Sequence, residues 1–329
     1  MGYDMDMEEY LEEKILNSGP KRYLVVGGAG FIGSNLVDQL VKDNNEVIVF
    51  DDLSTGKEEN INPKAKFFKV DISDSNVFDD KRIRDYSIED VMTGVDAVFH
   101  LAAKARVQPS IEDPVSFDRV NVGGMLNILH ACVKYKVKRF IYSSSSSVYG
   151  DVKELPTKED TELNPMSPYA LQKLIGEQYC KLFYELYGLE TICLRYFNVY
   201  GERQNTEGAY CLVMGKFAQQ RLNGEPMTIR GDGEQRRDFT YVGDVVKANI
   251  LAAKTEYPPE TIFNIGNGDN RSVNQIADMI GGDRITVDPV VEPRETLADN
   301  TKAHELLDWK PTMIIEDWVK QYKKELGLK

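Results

Sequence analysis

Two hydrophobic periods alternate along this chain. Short runs rich in β-branched and aromatic residues (Tyr23–Val26, Glu46–Phe50, Lys66–Val70, Ala97–Leu101, Arg139–Tyr142 and Glu190–Leu194) read as strands. Between them, Phe31–Val41, Val115–Tyr135 and Pro168–Tyr187 carry apolar residues at helical spacing. Strands alternating with helices predict βαβ crossovers, hence an α/β protein whose parallel sheet is covered on both faces. From about Arg195 the texture changes to shorter elements broken by Gly- and Asn-rich loops, closed by a helix over Ile315–Leu326. This predicts a smaller second domain, with Phe263–Gly266 returning to the first sheet. The expected division is 1–19 as a helical extension, 20–195 as the first domain and 196–329 as the second, with about 238–268 contributing to the first. In the extension, Met7, Leu11 and Ile15 recur every four residues ahead of Gly19-Pro20.

Composition narrows the classes. At 329 residues the chain has room for about two domains of ~150 residues. It is 42% apolar and 28% charged, and no run approaches the ~18 apolar residues of a membrane helix. Forty basic residues against 53 acidic ones give a net charge of -13, which repels nucleic acid and anionic membrane surfaces. The four cysteines form no CxxC pair, as expected of reduced thiols in a cytoplasmic protein. Three histidines without HxxxH or HExxH spacing leave no metal site to expect. The N-terminus starts acidic (Asp4, Asp6, Glu8, Glu9), unlike a signal peptide.

The chemistry begins at Gly27-Gly28-Ala29-Gly30-Phe31-Ile32-Gly33, between the first strand and the first helix. There the chain must turn tightly, let backbone N–H groups approach a phosphate, and pack helix against strand. The helix N-terminus adds unpaired donors and partial positive charge for a pyrophosphate. Asp51 ends the second strand 18 positions after Gly33, close to the ~20 of the dinucleotide fingerprint. A carboxylate there accepts from both ribose hydroxyls of NAD and repels a 2′-phosphate, so a Rossmann-type doubly wound domain holding NAD is expected. Asp71-Ile72, after the third strand, is placed to frame the adenine.

Tyr169 and Lys173 lie four apart on one helical face. A phenol is a poor base near neutral pH, and a neighbouring ammonium favours its phenolate. Ser145, after the preceding strand, is the candidate to orient a substrate hydroxyl between them. Together with Gly27–Gly33, His100–Ala103, Ser143–Gly150, Arg195–Gly201, Gly231–Val242 and Leu297–Ala303, these residues resemble the extended short-chain dehydrogenase/reductases of the nucleotide-sugar epimerase/dehydratase group. The resemblance implies NAD against Gly27, Gly30, Phe31, Ile32, Gly33, Asp51, Asp52, Asp71, Ile72, Leu101, Ala102, Ala103, Tyr169, Lys173 and Tyr196. It implies Ser145, Tyr169 and Lys173 as catalytic, and Ser145, Asn198, Arg237, Arg294 and Thr296 against a UDP-sugar. It also implies a homodimer through a four-helix bundle built from Val115–Tyr135 and Pro168–Tyr187.

Within this group, the two positions after Ser145 separate the chemistries. Dehydratases carry Asp-Glu there, decarboxylases a Glu at the second place, and 3,5-epimerases a Cys. Ser146 and Ser147 supply none of these, which leaves oxidation at C4 and reduction from the opposite face: a 4-epimerase working through a 4-keto sugar. Thr296 stands where galactose-restricted relatives carry Tyr, leaving room for an N-acetyl group. Arg195–Gly201 with Arg203-Gln204 resembles the UDP-N-acetylglucosamine 4-epimerases, whereas the loop Lys104–Ser110 departs from theirs. The alternatives are a UDP-glucuronate 4-epimerase, a dehydratase or decarboxylase, and a non-catalytic NAD sensor of the same fold.

Overall fold

The computed structural model describes residues 19–78, 82–83, 86–206, 212–257, 261–289 and 292–328. The expected helix over Met7–Ile15, and Cys211, lie outside them. Seven strands form one parallel sheet: β1 (Arg22–Val26), β2 (Glu46–Asp51), β3 (Lys66–Lys69), β4 (Ala97–His100), β5 (Arg139–Ser145), β6 (Glu190–Tyr196) and β7 (Thr261–Ile265). Their spatial order is β7-β6-β5-β4-β1-β2-β3, so the winding reverses between β1 and β4. Ligand crevices of open α/β sheets form at such a reversal, beyond the strand C-termini.

Along β1, Leu24 and Val26 enter one core and Tyr23 and Val25 the other. A strand buried on both faces reads as a continuous apolar run, as Tyr23–Val26 does. On the first face lies the helix Met125–Lys134, and on the second lie Phe31–Lys42 and Val242–Lys254. The long helix Pro168–Tyr187 matches its predicted limits. Ser167 caps it by accepting from the Ala170 N–H at 3.2 Å, Pro168 occupies the first turn, and Gly188 ends it at φ 70°. A third core gathers Tyr200, Met214, Phe217, Ile229, Ile276 and Trp318 from the later part of the chain.

The predicted helix Val115–Tyr135 contains a wide π turn over Arg119–Gly124. Within it Asn121 is buried and bonded to the Lys104 N–H (2.8 Å), the Lys104 carbonyl (2.9 Å) and Gln172 (2.9 Å). Such turns are frequent at functional sites, and here one pins the Lys104 loop to the Tyr169 helix. No helix among the described residues is long and apolar enough to cross a membrane.

Candidate active site

A cavity of about 770 Å³ opens over the C-terminal ends of the sheet, at the point where the winding reverses. One end is lined by the glycine turn. Gly27 has φ +86°, and a Cβ there would stand 2.6 Å from the Ala102 nitrogen; one on Gly33 would stand 2.0 Å from the Gly27 carbonyl oxygen. Only glycine permits this approach of turn, strand and helix, and the result is an open floor of backbone beside a helix N-terminus. Asp51 is buried at the end of β2, accepting from the Ala29 N–H (3.0 Å) and the Leu53 N–H (2.9 Å). Burial raises its carboxyl above the ordinary range, against those two bonds. Asp52 and Asp71 each accept from a nearby backbone N–H and serine hydroxyl. Phe31, Ile32, Ile72 and Leu101–Ala103 complete this wall. A flat apolar slot, a phosphate-sized backbone cradle and a carboxylate at the ribose position fit NAD.

Deeper in, β5 and the helix Pro168–Tyr187 bring Ser145, Tyr169 and Lys173 together. Ser145 lies beside the Tyr169 phenol, near enough for its hydroxyl to favour the phenolate, and its Oγ accepts from the Ser147 hydroxyl at 2.9 Å. Lys173, 4% exposed, donates to the Ser143 carbonyl at 2.7 Å and lies 5.9 Å from the Tyr169 ring centre. Tyr169 keeps part of its surface open to the cavity. One expectation is corrected here. Burial raises the Tyr169 phenol, and the influences lowering it are the Ser145 hydroxyl and the positive Arg106; Lys173 is not among them. Burial instead pulls Lys173 down to about 8, against the nearby Glu177 carboxylate. In the protein alone, desolvation of the phenol outweighs the Ser145 hydroxyl and the Arg106 charge.

The far end is lined by residues of the later part of the chain. Asn198 donates to the Asp238 carbonyl (3.3 Å) and to the Thr296 hydroxyl (3.5 Å). Arg237 lines the cavity with its guanidinium 2.7 Å from Glu292. Tyr196 lines it too, with its hydroxyl 3.0 Å from that of Ser143. Arg294 is elsewhere: its side chain is 61% exposed, fork-bonded to Asp232 at 2.8 and 3.0 Å, and outside the cavity lining. Lys216, Arg230, Gln235 and Phe239 also line this end; of these only Gln235 and Phe239 fall in a stretch marked by sequence, Gly231–Val242. Arg106 falls in the loop Lys104–Ser110 that sequence marked as departing from its relatives, without a role assigned to it. It has φ +98°, unusual for a side-chain-bearing residue, and starts the short helix Val107–Glu112. Lys104, Arg106, Lys173, Lys216, Arg230 and Arg237 thus concentrate positive charge in the cavity of an acidic chain, as a diphosphate requires.

A family model, the NAD dependent epimerase/dehydratase family, matches residues 23–266. The chain is 41% identical over 305 residues to a putative UDP-glucose 4-epimerase of Methanocaldococcus jannaschii, covering 91% of this chain and 96% of that one. It is similar to the UDP-glucose 4-epimerase of Thermotoga maritima solved with UDP-glucose, at 38% identity and a TM-score of 0.85, over 93% of this chain and 99% of that one. It is also similar to the UDP-N-acetylglucosamine 4-epimerase of Methanobrevibacter ruminantium solved with UDP-N-acetylmuramic acid, at 37% identity and a TM-score of 0.83, over the same shares. With an NAD-shaped cradle at the reversal of its sheet and this likeness over nearly its whole length, the chain belongs to the NAD dependent epimerase/dehydratase family.

Proposed function

We propose that the protein is an NAD-dependent 4-epimerase of UDP-sugars, taking UDP-glucose/UDP-galactose and UDP-GlcNAc/UDP-GalNAc. The observation that carries this is the make-up of the reacting end. Ser145 and Tyr169 lie side by side there, with Lys173 beneath and Ser146 and Ser147 following. Among the described residues lining the cavity, the carboxylates are Asp51, Asp52, Asp71 and Glu292, none on β5 or the Tyr169 helix. The extra acid and base of an elimination are missing from that end, so what these groups can do is move one proton and hold one oxygen.

The chemistry NAD supplies when bound is reversible acceptance of the C4 hydride. Tyr169 takes the proton of the 4-hydroxyl and later returns it. Ser145 donates to the same oxygen and holds it toward the phenol. Lys173, locked to the Ser143 carbonyl, keeps its ammonium beside the Tyr169 ring and would hold the nicotinamide ribose when the coenzyme is bound. Asn198, Arg237 and residues 196–329 as a substrate domain retain the UDP portion while the 4-keto sugar exposes its other face, so remote binding energy serves the reacting centre. Arg294 joins them only by leaving Asp232.

The test is a panel of UDP-glucose, UDP-GlcNAc and UDP-glucuronate, read by mass and by sugar configuration. An epimer of unchanged mass supports the proposal; loss of water or CO2 identifies a lyase, and no conversion a sensor. The cationic Arg106 at the reacting end favours UDP-glucuronate as the second reading, and that arm decides it. Thr296→Tyr is expected to lower turnover of UDP-GlcNAc roughly 100-fold while sparing UDP-glucose; unchanged UDP-GlcNAc turnover removes Thr296 as the gate. Because burial brings Lys173 down to about 8, its ammonium is present below that pH and is lost as pH rises through it. Wild-type kcat is therefore expected to fall above pH ~8, and Lys173→Arg to lack that limb. A wild-type profile flat to pH 10 contradicts this role.

The exposed Leu171, Leu182, Leu186 and Tyr187 on one long helix, with Val115 beside the π turn, support a homodimer through a four-helix bundle. The free thiols of Cys132, Cys180 and Cys193 suit the cytoplasm.

A further inference from the structure

Four residues beyond Lys173 on the same helix lies Glu177, 3% exposed and ion-paired with Arg195, 1% exposed. One carboxylate oxygen accepts from Arg195 Nε at 2.9 Å and from the Ser144 hydroxyl; the other accepts from Arg195 Nη2 at 2.7 Å. Arg195 Nη1 also donates to the Tyr149 hydroxyl (2.8 Å) and the Glu159 carbonyl (3.0 Å). This cluster ties together the three elements that meet at the reacting end. Ser144 sits between Ser143, whose carbonyl holds Lys173, and Ser145, which lies beside the Tyr169 phenol. Arg195 precedes Tyr196, whose hydroxyl reaches Ser143. A buried ion pair is weak as a source of stability, because desolvating both charges offsets their attraction; a well-packed apolar pair does as well. Its value lies in geometry.

We propose that Glu177 is a positioning residue for the reaction: locked by Arg195, its carboxylate clamps Ser144 and so fixes the Ser145 end of β5 against the helix that carries Tyr169 and Lys173. The proposal rests on the assignment of Ser145, Tyr169 and Lys173 as the catalytic groups. Its electrostatic side follows from the same placement. Facing Lys173 are Tyr169 and Glu177 on its own helix, Tyr142 and the Ser143 carbonyl on β5, His100 on β4 and, beyond Glu177, Arg195 on β6. Tyr142 and His100 are buried and uncharged near neutral pH, since burial raises the phenol and lowers the imidazole. Glu177 is the group whose negative charge sustains the ammonium.

The experiment compares the wild type, Tyr169→Phe, Ser144→Ala and the double variant Glu177→Gln/Arg195→Met, all carrying NAD, with the UDP-sugar the wild type epimerises best. Ser144→Ala keeps the ion pair and removes only the clamp. It is expected to lower kcat about tenfold with KM within about twofold, since misplacing a reacting group costs turnover and spares nucleotide binding. The double variant removes both charges and is expected to stay folded. Its kcat should fall and its alkaline limb should move to lower pH, because nothing then offsets the desolvation of Lys173. The proposal is overturned if Ser144→Ala and the double variant both reproduce the wild-type kcat and pH limb while Tyr169→Phe is inactive. Should the double variant fail to fold, Ser144→Ala alone decides by the same kcat-against-KM comparison. An active Tyr169→Phe strikes instead at the catalytic assignment.

Discussion

Tyr169→Phe leaves a folded protein with NAD in place and turnover reduced by about a thousandfold or more. The change deletes one oxygen. The backbone N–H still donates to the Ser110 hydroxyl at 3.2 Å and the ring keeps its place 5.9 Å from the Lys173 ammonium, so packing and the coenzyme slot are preserved. What disappears is the phenol beside Ser145, the group assigned to take and return a proton at the substrate oxygen, and general acid–base catalysis alone is worth ~10²–10⁴. The measurement is kcat with bound NAD quantified on the same sample. Near-normal turnover with full NAD occupancy removes Tyr169 from the mechanism. Because burial raises this phenol in the protein alone, the phenolate has to come from positive charge beside it. Arg106 is one source in the chain, and the oxidised nicotinamide carries another.

The second large effect is predicted at Gly33→Ala. Two terms oppose each other. Alanine is favoured over glycine inside a helix by about 1 kcal/mol, which alone would stabilise the helix Phe31–Lys42. The added Cβ, however, falls 2.0 Å from the Gly27 carbonyl oxygen and 2.9 Å from Gly28 Cα. Both obstacles are backbone of the same turn, so relief requires moving the phosphate cradle itself. Sterics prevail, and NAD affinity is expected to fall at least about 100-fold with activity following. Calorimetric titration of NAD into coenzyme-free protein checks this; affinity within threefold of the wild type would mean that the turn is no cradle. Gly123→Ala is the control, a glycine whose added Cβ meets nothing within 4 Å.

Legibility divided along physical lines. The limits of Pro168–Tyr187 could be read because its cap, its first-turn proline and its terminal glycine are all local features within the helix or one residue from it. The strands could be read because sheet burial leaves a continuous apolar run, and β7 was anticipated from Phe263–Gly266 on the same ground. The glycine turn was legible since its chemistry needs residues without side chains at fixed spacing. The π turn at Arg119–Gly124 was not, because one inserted residue barely disturbs the helical period. The later loops gave little, as Lys216 and Arg230 have no local pattern that distinguishes a cavity cation from a surface one.

Local order along the chain, then, determined the layered α/β architecture, the dinucleotide turn and the Tyr169–Lys173 pairing on one helix face, since each depends on residues a few positions apart. Tertiary structure decided which charges meet. Arg294 pairs with Asp232 across 62 residues instead of facing the cavity, and Arg237 turns toward Glu292. It decided the sign at Tyr169, where enclosure by distant segments outweighs the neighbouring Ser145 hydroxyl and the Arg106 charge. Spacing records neighbours on an element; burial and ion pairing depend on what the rest of the fold brings against it, and that exists only once the chain has closed.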